Sequence, residues 1–99
     1  ANARMSGTIC DALMSNTPGE LTFPITRELI GQGTTVTDAE VAQAVRYAFR
    51  ELKLVVEPGG AIGLAALLAG KINVKGKIVV GILSGGNVDA DMFDRLIAA

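Results

Sequence analysis

From Pro58 to Gly70 the chain runs thirteen residues without a charge, and Ile78-Val79-Val80-Gly81-Ile82-Leu83 follows as a second uninterrupted apolar run. These two segments limit the fold more than any others. The first predicts a helix over 59–69 that is apolar on every side, and such a helix is normally buried all round. The second predicts a strand covered on both faces, as in the centre of a parallel sheet. Both need layers above and below them, which 99 residues barely supply. A compact globule of this mass buries roughly 64% of its unfolded surface. Yet 49% of the residues are apolar and the mean hydropathy is +0.42. The excess implies that some apolar surface lies against something else.

The remaining elements read as an α/β order. Thr8-Ile9-Cys10 predicts a short strand, and Ser15 to Gly19 a turn cluster. A helix is expected from Thr22 as cap, with Pro24 in the first turn and Gly31 beyond its end. Thr34 to Thr37 reads as a β-branched strand. Thr37 and Glu40 form a capping box for the next helix, where Val41, Ala44, Val45, Ala48, Phe49 and Leu52 share one face. Asp38, Gln43, Arg46, Arg50 and Lys53 take the opposite side. Leu54-Val55-Val56 is a brief apolar run. A last helix over 89–98 turns Met92, Phe93, Leu96 and Ile97 inward.

Composition removes several chemistries. The chain has no His, which excludes a Ser-His-Asp triad, a Cys-His pair and an imidazole metal site. One cysteine, Cys10, makes no internal disulfide and reads as a small buried hydrophobe. Nine basic against ten acidic residues, with four aromatics, do not make a nucleic-acid surface. The longest uncharged stretch is too short to span a bilayer, and no signal peptide is evident, so a cytoplasmic location is expected. Asp89, Asp91 and Asp94 read as an acidic first turn that suits the helix dipole, and no metal site is expected. The start at Ala1 rather than Met is read as processing, cutting or engineering.

Ligands of open parallel sheets bind beyond the carboxyl ends of the strands, the place of Ser84-Gly85-Gly86-Asn87. Its glycines permit close approach, and Ser84 offers a hydroxyl that donates or accepts. The plainer reading is a polar turn with Asn87 capping the last helix. Glu57-Pro58-Gly59-Gly60-Ala61 is a second candidate. There the plainer reading is a cap, a first-turn proline and glycines for close helix packing. No dinucleotide fingerprint, P-loop or nucleophile elbow is present.

Taken together, Val56-Glu57-Pro58-Gly59-Gly60-Ala61, Ala65 to Lys71 and Leu83 to Asp89 resemble the C-terminal part of the threonine dehydratase and serine racemase family. Thr8 to Asp11, Asn16 to Thr22 and Val36 to Val41 fit the same order, so the likeness covers nearly the whole chain. These are fold-type-II enzymes that use pyridoxal phosphate. The resemblance implies residues 1–99 as one segment of the large α/β domain, with layered helices and a small, largely parallel sheet. It implies that Ser84 hydrogen-bonds the pyridine nitrogen of the cofactor. A neutral hydroxyl leaves that ring without a full positive charge and so moderates the electron sink. Gly85 and Gly86 would bring the backbone close to the ring, and Asn87 would hold the loop or cap the helix. Glu57 would lie near the same edge without an assigned role. Ala12 stands where relatives often have glycine near the cofactor.

The family's Schiff-base lysine lies in a Ser-x-Lys context, which none of Lys53, Lys71, Lys75 or Lys77 has. The phosphate cup and the acidic cation ligands are missing as well. No catalytic residue is therefore expected in this segment, which by itself would be inert. Its implied partners are the N-terminal part of the same polypeptide, a small substrate (L-threonine or L-serine) and further copies in a homo-oligomer. The activity implied is elimination of a β-hydroxyl to give ammonia and a 2-oxo acid; racemisation would use the same scaffold. The competing readings are a free-standing module that binds a small anion at Ser84 to Asn87, and a structural or dimerisation domain without catalysis.

Overall fold

The computed structural model describes residues 7–11, 19–31 and 33–98. Four α-helices follow in order: α1 (Thr22–Leu29), α2 (Asp38–Arg50), α3 (Ile62–Leu68) and α4 (Ala90–Ala98), with a 3-10 turn Pro58–Ala61 leading into α3. Ala12 and most of the expected 15–19 turn cluster lie outside the described residues.

Helix α2 is the hub, and α3, α4 and the 3-10 turn all pack on it. Its start follows the capping-box expectation. Thr37's hydroxyl accepts from the Glu40 amide at 3.2 Å, and Glu40 accepts from the Thr37 amide at 2.8 Å. The same Glu40 oxygen lies 3.2 Å from Lys71 Nζ, which ties the start of α2 to the end of α3. Val41, Ala44, Val45 and Ala48 are buried as the periodicity predicts, with Cys10, Val56, Ala61 and Ala65 in the same core. Valine and alanine dominate, so the helices approach closely. Each fully buried valine contributes about 1.5–3 kcal/mol. Phe49 is half exposed, with its ring meeting Phe93 edge-on at 5.2 Å. Leu52 is exposed.

Arg46 and Arg50, expected on the solvent side, turn instead to the end of α4. Arg46 donates to the Leu96 carbonyl at 2.9 Å, and Arg50 donates to that of Ile97. These carbonyls have no partner within their own helix, and a guanidinium suits the negative end of its dipole. Helix α2 itself ends through Lys53, whose backbone takes φ 61°, and the Leu54 amide returns to the Ala48 carbonyl at 2.9 Å. Asp38 also braces the N-terminal segment, accepting from the Thr8 hydroxyl at 2.5 Å and the Ile9 amide at 3.1 Å. The Cys10 thiol beneath them is pushed above its ordinary pKa, first by burial and then by Asp38 and Asp11.

Other expectations change. Thr22 does not cap α1: Leu21 holds that position without a side-chain bond, and the Thr26 hydroxyl donates to the Thr22 carbonyl at 3.1 Å. Among the described residues, α1 packs on no other helix and buries none of its side chains.

No strand forms among the described residues, neither at 8–10, 34–37, 54–56 nor 78–83. A strand exists only through ladder bonds to a neighbour, and among the described residues no such ladder forms along these runs. The 78–83 run nevertheless keeps a period of two. Ile78, Val80 and Ile82 are 99%, 87% and 79% exposed, whereas Val79 is 45% exposed, Gly81 faces Leu67 of α3 and Leu83 touches the core. One face is partly covered, chiefly at Leu83, and the other is bare. Helix α3 is likewise half covered: Ala65 and Ala66 are buried, while Gly63 and Leu68 are exposed. The chain exposes 7419 Å² in all. A compact monomer of 10.2 kDa exposes about 5,300 Å².

Thr37→Ala is expected to lower stability by about 1 kcal/mol, read by urea unfolding. Glu40 adds a pH dependence. The Thr37 amide, and then Lys71, hold its carboxyl below the ordinary 4.5. Its contribution is therefore full above about pH 4.5 and is lost as pH falls through the folded value. Glu40→Gln should flatten that acid limb in a denaturation series from pH 6 to 3.

Candidate functional site

The Ser84 loop and the Glu57–Ala61 segment, separate candidates in the sequence, form one constellation. Their backbones lie against each other. The Glu57 amide donates to the Gly85 carbonyl at 3.2 Å, and the Gly60 amide donates to the Glu57 carbonyl at 3.0 Å, closing the 3-10 turn. Pro58 opens that turn, where its missing N–H costs nothing. Glu57 stands at the cap position in extended backbone, but its carboxylate makes no cap bond. It lies over Gly85 instead.

Three glycines make the contact possible. A methyl carbon on Gly60 would fall 1.8 Å from the Ser84 carbonyl oxygen. One on Gly85 would fall 2.1 Å from Glu57 Oε1, and one on Gly86 2.7 Å from the Val55 carbonyl oxygen. Gly85 also has φ +77°, which side chains rarely adopt. Gly85 and Gly86 are expected to bring the backbone near a ligand. Here each is also required by this chain's own packing. Gly60 was read as a helix-packing glycine. Its contact is with the loop, and the Gly59-Gly60 doublet after a proline is the sequence signal for it.

Ser84 is exposed, and so is Asn87. Asn87 is not the cap of α4. Asp89 is, accepting from the Met92 amide at 3.2 Å. The Val88 amide closes back on the Gly86 carbonyl at 2.9 Å, which turns the chain into α4. Glu57 is half-buried and Pro58, Gly60 and Ala61 are buried, so the exposed loop rests on a fixed floor. A pocket of about 290 Å³ lined by Gly33, Thr34, Lys71, Ile72, Asn73 and Lys77 shares no residue with this constellation.

Residues 2–85 match the family model described as pyridoxal-phosphate dependent enzyme. The chain belongs to that family. It is 39% identical over 90 residues to an L-threonine ammonia-lyase of Thermotoga maritima, covering 91% of this chain and 22% of that protein. It is 41% identical to an L-threo-3-hydroxyaspartate ammonia-lyase of a Pseudomonas species, with coverage of 91% and 28%. It is 38% identical to an L-threonine dehydratase catabolic TdcB of Staphylococcus aureus, with coverage of 87% and 26%. The chain thus spans about a quarter of the length of these curated relatives. The family uses pyridoxal phosphate. The exposed Ser84 hydroxyl, followed by two glycines, fits the ring edge of that cofactor, whose nitrogen accepts a hydrogen bond.

Gly85→Ala is expected to destabilise the chain by about 2 kcal/mol, combining a disfavoured φ with a displaced carboxylate. Gly63→Ala meets nothing within 4 Å on α3 and should stabilise by up to about 1 kcal/mol. Thermal unfolding of the two variants checks the contrast.

Proposed function

We propose that this chain is the C-terminal, cofactor-facing segment of a pyridoxal-phosphate-dependent ammonia-lyase that acts on L-threonine or L-serine. The observation that carries the reading is the Ser84 loop, an exposed hydroxyl held by backbone contact on the Glu57–Gly60 floor. The ammonia-lyase relatives, matched over about nine-tenths of this chain, support it.

When bound, the cofactor supplies an electron-withdrawing ring that stabilises the charge left as the α-proton departs and the β-hydroxyl leaves. Ser84 would hold the ring nitrogen by donating its hydroxyl hydrogen, which places no full charge on the ring. That moderates electron withdrawal and favours elimination to ammonia and a 2-oxo acid. Gly85 and Gly86 keep the loop free of side chains beside the ring, and Glu57 fixes Gly85 from below. Asn87 continues the loop toward Asp89. The Schiff-base lysine and the phosphate cup come from the rest of the polypeptide, which also supplies strands beside 78–83 and completes a small parallel sheet. The whole protein is a cytoplasmic homo-oligomer in this reading. A free-standing binding module would leave Ile78, Val80 and Ile82 bare.

In the intact enzyme carrying this segment, Ser84→Ala should weaken cofactor binding by on the order of 1 kcal/mol, about fivefold in dissociation constant. Ser84→Asp should shift the balance between elimination and side reactions. Parent-like behaviour of both would overturn the role of Ser84. The 99-residue chain with added pyridoxal phosphate should form 2-oxo acid from threonine or serine no faster than the cofactor alone.

A further inference from the structure

We propose that Gly60 is the positioning residue for Ser84: its missing side chain is the seat on which the Ser84 carbonyl rests. This rests on the reading of Ser84 as the ligand of the ring nitrogen. Gly60 is buried, its amide is held by the Glu57 carbonyl at 3.0 Å, and Pro58 stiffens the turn before it. Ser84 is exposed and lies on a loop without regular structure. When the two are forced apart, the loop moves and the turn stays.

The space is fully used. A methyl carbon at Gly60 would stand 1.8 Å from the Ser84 carbonyl oxygen, 2.8 Å from its carbonyl carbon and 3.2 Å from the Gly85 carbonyl oxygen. All three atoms belong to backbone, so no flexible side-chain end can give way. Opening the first contact past 3.0 Å moves the Ser84 carbonyl by more than 1 Å. That motion also strains the bond from the Glu57 amide to the Gly85 carbonyl. The Ser84 hydroxyl travels with its own backbone, and a hydrogen bond displaced by an ångström is lost. Gly63, three residues on, meets nothing within 4 Å and serves as the control.

The test is a double-mutant cycle in the intact enzyme, read by pyridoxal-phosphate dissociation constants and by thermal unfolding. Gly60→Ala should raise the dissociation constant several-fold, Gly63→Ala should leave it unchanged, and Gly60→Ala with Ser84→Ala should bind no more weakly than Ser84→Ala alone. Parent-like binding by Gly60→Ala would overturn the proposal. So would losses that multiply in the double variant, because Gly60 would then act other than through the Ser84 hydroxyl. Parent-like binding by Ser84→Ala overturns the role of Ser84 itself. The seat is then judged by the crystal structure of cofactor-free Gly60→Ala, where a Ser84 carbonyl shifted by more than 1 Å supports it and an unmoved one refutes it. If Gly60→Ala does not fold, Pro58→Ala, which loosens the turn that carries Gly60 without filling the seat, runs the same cycle: a loss absorbed by Ser84→Ala supports the seat, and losses that multiply overturn it.

Discussion

The backbone-to-backbone contact between residues 55–60 and 84–86 is the constraint on which the site depends. Side chains cannot form it, since a methyl group on Gly60, Gly85 or Gly86 would occupy space already filled by carbonyl groups or the Glu57 carboxylate. One bond, from the Glu57 amide to the Gly85 carbonyl, sets the register of the two segments. The 3-10 turn after Glu57 then feeds directly into α3, which packs on α2. The loop that carries Ser84 is in this way connected through a single turn to the hub of the core.

The hub explains why the rest is arranged as it is. Helix α2 receives α3 through small side chains and α4 through Phe49–Phe93 and two arginine-to-carbonyl bonds. The Ser84 loop thus lies between a run backed by α3 and a helix fixed at its far end by α2. Both ends of the loop are held. The molecule is much less complete on its other side, where α1 and the outer face of 78–83 stay exposed. That surface suits a segment of a larger domain, since relatives of the same family are about three to four times as long.

Much of this was legible in the sequence, and the failures share one physical origin. Local signals were read correctly: the Thr37–Glu40 capping box, the buried stripe of α2, Pro58 opening a turn and the burial of Cys10. Each depends on residues a few positions apart. The strands over 34–37 and 78–83 did not form, because a ladder needs a partner outside the local sequence. Arg46 and Arg50 misled for the opposite reason. Their polar pattern marks a face, and only the fold reveals that the end of α4 meets it. The Glu57 and Ser84 segments were both recognised as candidates. Their union could not be read from spacing: the Gly59-Gly60 doublet after Pro58 marks a close approach, but only the fold shows that the Ser84 loop makes it.

The most direct measurement of the central claim is a crystal structure of the intact enzyme with pyridoxal phosphate bound. The account predicts Ser84 Oγ within about 3.2 Å of the ring nitrogen, with the Gly60 Cα still against the Ser84 carbonyl. A ring nitrogen paired with another group, or a loop lifted off Gly60, would contradict it.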